Sequence, residues 1–200
     1  LMGGTGIDTA DYSASGAGVT VNLTTGTGAG GDAAGDVLSQ IENILGSNYA
    51  DLLIGDGTAN SLSGGVGDDS LWGGEGRDVL VGGADHDRLR GDGGNDVLSG
   101  NAGNDTLDGG SGNDSMSGGM GNDTFMLSAA GDVLIELAGQ GIDTVITVVS
   151  HVLAENFENL TLSGTSGLTG TGNAASNILT GNGGANRLTG TGFNDSIDGG

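Results

Sequence analysis

The chain has 200 residues, of which 46 are glycine, and it contains neither proline nor cysteine. Only 3% of residues are aromatic and no G-X-Y period is present, which excludes a thick globular core and a collagen helix. The formal net charge of −22 disfavours nucleic acid and anionic membranes as partners and favours divalent cations, while the lack of cysteine excludes disulfide bonds.

Residues 1–45 are predicted to be a partial repeat followed by a spacer that leads into a repeat array. GGTGIDTAD, at 3–11, fits the nine-residue frame described below and places Asp8 at its sixth position. GVTVNLTTG, at 18–26, alternates as a strand does. GTGAGG, at 26–31, matches the G-x-G-x-x-G pattern, but no strand–turn–helix context surrounds it, so it does not indicate a dinucleotide site.

Residues 46–126 divide without a gap into nine nonapeptides, such as GGVGDDSLW and GGEGRDVLV, and each begins with glycine. Position 8 is always a large apolar residue: Leu53, Leu62, Leu71, Leu80, Leu89, Leu98, Leu107, Met116 and Phe125. Position 6 is aspartate except in one unit: Asp51, Asn60, Asp69, Asp78, Asp87, Asp96, Asp105, Asp114 and Asp123. This main array is the dominant organising feature of the sequence.

The composition of the nonapeptide predicts a turn at positions 1–6 and a short strand at positions 7–9, whose middle side chain points inward. Glycines at positions 2 and 4 permit positive φ and let turn carbonyls point inward. The candidate carbonyl ligands among them are Gly65, Gly67, Gly74, Gly76, Gly83, Gly94, Gly103, Gly110 and Gly112. Asp85, Asp92 and Asn101 replace such glycines, and these residue types tolerate positive φ better than most.

Residues 127–171 are predicted to be a non-repeat β spacer, and residues 172–200 a second, degenerate and truncated array. Its sixth positions are Asn177, Asn186 and Asp195. The spacer echoes the first segment, since GQGIDTVITV and NFENLTL parallel GTGIDTADYS and QIENIL. Both chain ends interrupt the period, so we expect an excerpt of a longer repetitive protein.

The nonapeptides closely resemble the G-G-x-G-x-D-x-U-x repeat of the RTX (repeats-in-toxin) family, in which U is a large apolar residue. The resemblance covers 46–126, 172–198 and 3–11. It implies an all-β fold, a right-handed parallel β-roll or β-solenoid stabilised by Ca²⁺. Two nonapeptides then make one coil, so alternate repeats stack on the same side.

On this winding one edge of the roll carries Asp51, Asp69, Asp87, Asp105 and Asp123, and the other carries Asn60, Asp78, Asp96 and Asp114. Ca²⁺ takes six to eight oxygen ligands, which two carboxylates and the turn carbonyls of the position-2 and position-4 glycines would supply. We expect about six or seven ions in the main array. Asp8 and Asp195 are the corresponding candidates outside it.

The resemblance further implies Ca²⁺ binding by an extracellular or cell-surface segment of a bacterial protein that folds after type I secretion. A structural part of an adhesin, S-layer or filament is the first hypothesis, an accessory module of a secreted enzyme or toxin the second, and a glycan-binding module the third. Candidate partners are Ca²⁺, neighbouring copies and cell-surface polysaccharide, without nucleic acid or membrane insertion. No catalytic constellation is recognised, because the two histidines are far apart and HExxH is absent.

Overall fold

The computed structural model describes residues 1–200 as an all-β chain that winds into a β-solenoid of about nine turns. The strands before the main array are β1 (Thr9–Asp11), β2 (Thr20–Asn22), β3 (Thr27–Ala29) and β4 (Asn43–Leu45). A single 3-10 turn, Gly31–Ala33, lies between β3 and β4. None of the chain's helical segments has the length and apolar character that a membrane-spanning helix requires.

Every nonapeptide of the main array contributes one strand. These are β5 (Leu52–Ile54), β6 (Ser61–Val66), β7 (Ser70–Gly76), β8 (Val79–Ala84), β9 (Arg88–Gly94), β10 (Val97–Ala102), β11 (Thr106–Asp108), β12 (Ser115–Met120) and β13 (Thr124–Leu127). The strands that follow are β14 (Val133–Ile135), β15 (Thr144–Thr147), β16 (His151–Val152), β17 (Asn159–Leu162), β18 (Thr169–Thr171), β19 (Ile178–Thr180), β20 (Arg187–Thr189) and β21 (Ser196–Asp198).

From β4 onward, successive strands alternate between two sides of the solenoid. A seven-stranded sheet has the order β1-β4-β6-β8-β10-β12-β14, and an eleven-stranded sheet has the order β21-β19-β17-β15-β13-β11-β9-β7-β5-β2-β3. A three-stranded sheet, β16-β18-β20, takes the alternate strands after β14. All pairs are parallel except the β2–β3 hairpin, so the prediction of a parallel β-solenoid is confirmed.

The register between stacked strands is 18 residues throughout the main array. Leu53 faces Leu71, which faces Leu89 on the next coil, and the opposite sheet repeats the pattern from Leu62 to Leu80. Two nonapeptides therefore complete one coil, as expected. Each position-8 side chain packs against the position-8 side chain 18 residues earlier, on the preceding coil. Single apolar residues therefore form a continuous column.

This column is the hydrophobic core, and none of its position-8 side chains is more than 2% exposed. Each fully buried leucine of this kind contributes about 1.5–3 kcal/mol relative to an exposed one. The column continues beyond the array into Ile44, Val145, Leu160 and Leu179, which are equally buried. The core is thus one or two side chains thick and runs along the solenoid axis.

The prediction of three-residue strands is wrong for most of the array. Six strands, β6 to β10 and β12, continue through positions 1 to 3 or 4 of the next repeat. Gly65 pairs with Gly83 and Val66 with Ala84, so the ladder includes residues assigned to the turn. The extension arises because a positive φ at glycine redirects the chain without ending its hydrogen bonding to the neighbouring coil.

Candidate metal centres

The position-6 aspartates form two hydrogen-bonded columns, one along each edge of the solenoid. In each column, the backbone N–H of one residue donates to Oδ1 of the residue 18 places later, as from Asp69 to Asp87 at 2.9 Å. The same bond, at 2.8–2.9 Å, joins Asp51 to Asp69, Asn60 to Asp78, Asp78 to Asp96, Asp87 to Asp105, Asp96 to Asp114 and Asp105 to Asp123. The structure therefore brings the predicted ligands together on alternate repeats.

The second oxygen of these carboxylates has no hydrogen-bond partner although it is buried. In the array this holds for Oδ2 of Asp69, Asp78, Asp87, Asp96, Asp105, Asp114 and Asp123. A buried carboxylate oxygen without a partner costs free energy, and native proteins pair such atoms with hydrogen bonds or with metal ions. The two columns are therefore rows of hard oxygen atoms that lack a positively charged partner.

The position-1 glycines leave the space that these carboxylates occupy. A Cβ added at Gly82 would overlap Oδ2 of Asp87, five residues later in the same unit. Every Asp-bearing unit of the array repeats this arrangement, and so do Gly3 with Asp8 and Gly190 with Asp195. The invariance of glycine at position 1, which the sequence shows without explaining, follows from the room that the aspartate needs.

The predicted turn conformation is confirmed at positions 2 and 4. All nine glycines proposed to turn carbonyls inward, from Gly65 to Gly112, have φ between 86° and 146°. Asp85, Asp92 and Asn101, which replace such glycines, also have positive φ, between 70° and 78°. These three substitutions therefore keep the turn conformation that the repeat requires.

Burial makes the metal-free columns electrostatically unfavourable when charged. It raises the pKa of Asp69 and Asp87 to about 7 and that of Asp78 and Asp123 to about 6, and charges on neighbouring column members add to the increase. The one ion pair in the structure joins Arg90 to Asp92, outside both columns. A bound cation would oppose these shifts, because a nearby positive charge stabilises the ionised carboxylates.

Two of the predicted ligands differ from the rest because each of their side-chain oxygen and nitrogen atoms already has a hydrogen-bond partner within the protein. Oδ1 of Asp51 accepts from Val19 N–H and from the Ser47 hydroxyl, and Ser47 N–H donates to Oδ2. The Asn60 carboxamide accepts from Asp56 N–H and donates to the Glu42 carbonyl. Both residues begin their columns, and the protein itself satisfies their side chains.

The predicted ligands outside the main array follow the same geometry less completely. Asp8 N–H donates to Oε2 of Glu42, and Oδ2 of Asp8 is buried without a partner. Asp195 accepts from Asn177 N–H at 3.0 Å but is only half-buried. Asn177 itself is hydrogen-bonded through both side-chain atoms.

Sequence reasoning missed a second ladder at position 5, which runs in the opposite direction. The N–H of His86 donates to Oδ1 of Asp68, and Asn104 N–H donates to Nδ1 of His86, at 2.9 and 2.8 Å. The backbone N–H groups of Asn113 and Asn122 donate to Oδ1 of the asparagines 18 residues before them. The recurrent Asn at position 5 was the available signal. The N–H at position 5 bonds to the preceding coil and the N–H at position 6 to the following coil, so adjacent residues connect each coil to both neighbours.

Sequence reasoning also missed carboxylates that extend both columns beyond the array. Asp114 N–H donates to Asp132, Asp123 N–H to Asp143, and Asp143 N–H to Glu158. Glu158 and Glu42 play the same part, each accepting from the aspartate of a GxGIDT motif. The signals were GDVLI at 131–135 and GQGIDTVI at 139–146, which carry the D-x-apolar spacing of the repeat.

Comparison with known proteins agrees with this geometry. The model of the RTX calcium-binding nonapeptide repeat matches four stretches, 40–71, 54–89, 90–125 and 170–200, which together span more than half of the chain. The chain belongs to the RTX calcium-binding nonapeptide-repeat family. Membership identifies Ca²⁺ as the ion that the unpartnered oxygens of these RTX coils fit.

Two curated proteins of Rhizobium meliloti (strain 1021) match a short part of the RTX chain. One is endo-1,3-1,4-beta-glycanase EglC, 51% identical over 45 residues, and the other is endo-1,3-1,4-beta-glycanase ExsH, 52% identical over 44 residues. Each match covers 22% of this chain and 10% or 9% of the relative. The similarity is therefore confined to a segment about five nonapeptides long.

Proposed function

We propose that this chain is a Ca²⁺-dependent folding module of an exported bacterial protein, in which stacked turns hold Ca²⁺ between successive position-6 carboxylates. The observation that carries the proposal is the row of buried, unpartnered Oδ2 atoms, each beside a glycine that leaves room for it. The carbonyls of the nine candidate glycines, from Gly65 to Gly112, complete the oxygen ligands. Ca²⁺ accepts such mixed carboxylate and carbonyl sets.

Charge gives the proposal its energetic basis. The chain carries a formal charge of −22, and seven divalent ions would neutralise about 14 of these negative charges. Without metal, buried carboxylates repel one another, and short strands do not offset the loss of chain entropy. With metal, the free energy of binding becomes free energy of folding. The chain is therefore expected to be unfolded without Ca²⁺ and folded with it.

This coupling suits a protein that crosses a membrane unfolded and folds outside, as in type I secretion. Extracellular calcium modules bind with Kd of about 10⁻⁴–10⁻³ M. Such sites stay empty at low cytosolic Ca²⁺ and fill at millimolar concentrations. The proposed location is therefore extracellular or at the cell surface.

Circular dichroism during a Ca²⁺ titration of the 200-residue chain tests the folding claim. We expect little strand signal in excess EGTA and a cooperative gain near millimolar Ca²⁺, with Mg²⁺ at equal concentration as the matched control. Mg²⁺ demands a tighter octahedral shell and gives up its water reluctantly. Full strand content in EGTA that Ca²⁺ does not change would contradict metal-coupled folding, and a Kd below about 10⁻⁷ M would contradict the secretion switch.

Two roles for the parent protein follow from different observations. A solenoid that Ca²⁺ stiffens suits a structural part of an adhesin, S-layer or filament. The GxGIDT segment and the segment that contains Glu-Asn, QIENIL or NFENLTL, each occur twice, which favours an extended protein built from repeats of this larger unit. The matches to two proteins named endoglycanases favour an accessory module of a glycan-acting enzyme. Gene sequence on either side of these residues distinguishes them, since further cassettes support the first role and a catalytic domain the second.

A further inference from the structure

The end of the main array has a carboxylate that the repeat does not provide for. Glu136 directly follows β14 and stands at position 1 of its unit, where every unit of the main array has glycine. In those units a side chain at position 1 would collide with the position-6 carboxylate. A glutamate here requires extra room.

A longer turn supplies that room. The hydrogen bond that continues the column joins Asp123 to Asp143 across 20 residues, whereas array members are 18 apart. The two additional residues lie in the connection between β14 and β15, which contains Glu136. The insertion and the replacement of glycine by glutamate therefore occur in the same turn.

The glutamate side chain is directed into the column. Carboxylate oxygens of Asp123, Glu136 and Asp143 lie within 4.8 Å of one another. Exposure is 8% for Glu136 and no more than 1% for the two aspartates. One oxygen of each carboxylate, including Oε2 of Glu136, is buried without a hydrogen-bond partner.

The surrounding contacts hold this arrangement in place and provide no positive charge. Leu137 N–H donates to Oε1 of Glu136, and the Asn156 side chain donates to the Glu136 carbonyl. The sequence has no lysine or arginine between Arg90 and Arg187. Three buried carboxylates with three free oxygens and no basic partner are the ligand chemistry of a hard cation.

We propose that Asp123, Glu136 and Asp143 form a three-carboxylate Ca²⁺ site, the junction site, which binds Ca²⁺ more tightly than the two-carboxylate gaps of the array. Calcium sites gain affinity as the number of charged ligands rises. The junction site fills first and joins the array to the following spacer. The proposal rests on the proposed function only in taking Ca²⁺ as the ion.

Hydrogen exchange with mass spectrometry on the whole 200-residue chain tests this order of filling. At one molar equivalent of Ca²⁺, peptides from 120–147 are expected to become protected before peptides from 60–105. Glu136→Gln keeps the shape of the side chain and the acceptor for Leu137 N–H. It is expected to weaken binding of the first equivalent at least about tenfold and to abolish the early protection.

Glu155→Gln is the matched control, because Glu155 is exposed and the charge change is the same. It is expected to behave as the unaltered chain does. Equal first-equivalent affinity and equal protection order in the two variants would overturn the proposal. Simultaneous or earlier protection of 60–105 in the unaltered chain would also overturn it, independently of whether Glu136→Gln folds. A failure of the proposed function is distinct, since Ca²⁺ would then protect no peptide.

Discussion

Replacing Asp87 by asparagine separates the two opposing effects of the column carboxylates. The Asn Oδ1 still accepts the bond from Asp69 N–H, so the ladder between coils is retained. The substitution removes one negative charge, and with it the proposed Ca²⁺ ligand shared by the gaps toward Asp69 and Asp105. It should therefore change stability in opposite directions with and without Ca²⁺.

The magnitude follows from binding linkage. A site with Kd of about 10⁻⁴–10⁻³ M contributes about 1.4–2.7 kcal/mol to the free energy of unfolding at 10 mM Ca²⁺. Loss of the two gaps that flank Asp87 should therefore cost about 3–5 kcal/mol. In EGTA at pH 8 the same variant should be more stable than the parent, because burial raises the pKa of Asp87 to about 7 and its charge opposes folding there.

Urea unfolding followed by circular dichroism measures the change in 10 mM CaCl₂. In EGTA, where the parent is expected to be unfolded, the concentration of trimethylamine N-oxide needed to induce strand signal measures it. Calorimetric titration counts the ions bound. Asp108→Asn is the matched control: it removes the same charge at position 9 of the same array, outside the columns. The stoichiometry should fall by up to two ions only in Asp87→Asn. Equal stoichiometry in the two variants, or stability changes of the same sign in both media, would refute the assignment of Asp87 as a shared ligand.

Three further outcomes are expected. Gly82→Ala places a Cβ against Oδ2 of Asp87 and should destabilise the Ca²⁺-loaded chain by about 1–3 kcal/mol. The control Gly57→Ala places its Cβ in open space and should not destabilise it. Equal urea midpoints for the two variants would contradict the crowding explanation. In Ca²⁺-free buffer, acidification from pH 8 to pH 5 should induce strand signal in the otherwise unfolded chain. The pKa of Asp87 is raised from 3.8 to about 7 in the fold, so protonation favours the fold at low pH and that effect is lost as pH rises through 7. A flat circular dichroism profile would argue against it. Leu98→Ala should cost about 2–5 kcal/mol in Ca²⁺ by urea unfolding, and a change under 1 kcal/mol would show that the column is not the core.

The sequence predicted the parts of the fold that the nine-residue period governs. The position-8 column, the stacking of alternate repeats and the positive φ of Asp85, Asp92 and Asn101 all follow from residue types at fixed spacing. The grouping of the position-6 aspartates into two edges follows from the same register. These features repeat identically in each unit, so one nonapeptide carries the information for all of them.

The features that sequence reasoning missed are those in which hydrogen bonding between coils departs from fixed spacing. Asp143 joins its column after 20 residues and Glu158 after a further 15, because the connecting turns differ in length while the ladder between strands is maintained. A frame of nine does not find such residues. The extended strands escaped prediction for a related reason, since glycine at positive φ usually marks the end of a strand.

The 18-residue register also determines how such a chain can change its length. Trp72 and Met126 stand at position 9 of their nonapeptides, in β7 and β13. Both belong to the outer face of the eleven-stranded sheet. Removal of two adjacent nonapeptides between them would shorten the solenoid by one coil and leave both residues on that face. Removal of one nonapeptide would turn everything downstream through half a revolution and place the two side chains on opposite faces. Lengths that preserve the orientation of distant surfaces therefore come in steps of a whole coil, and gain or loss of single repeats would alter which surfaces point the same way.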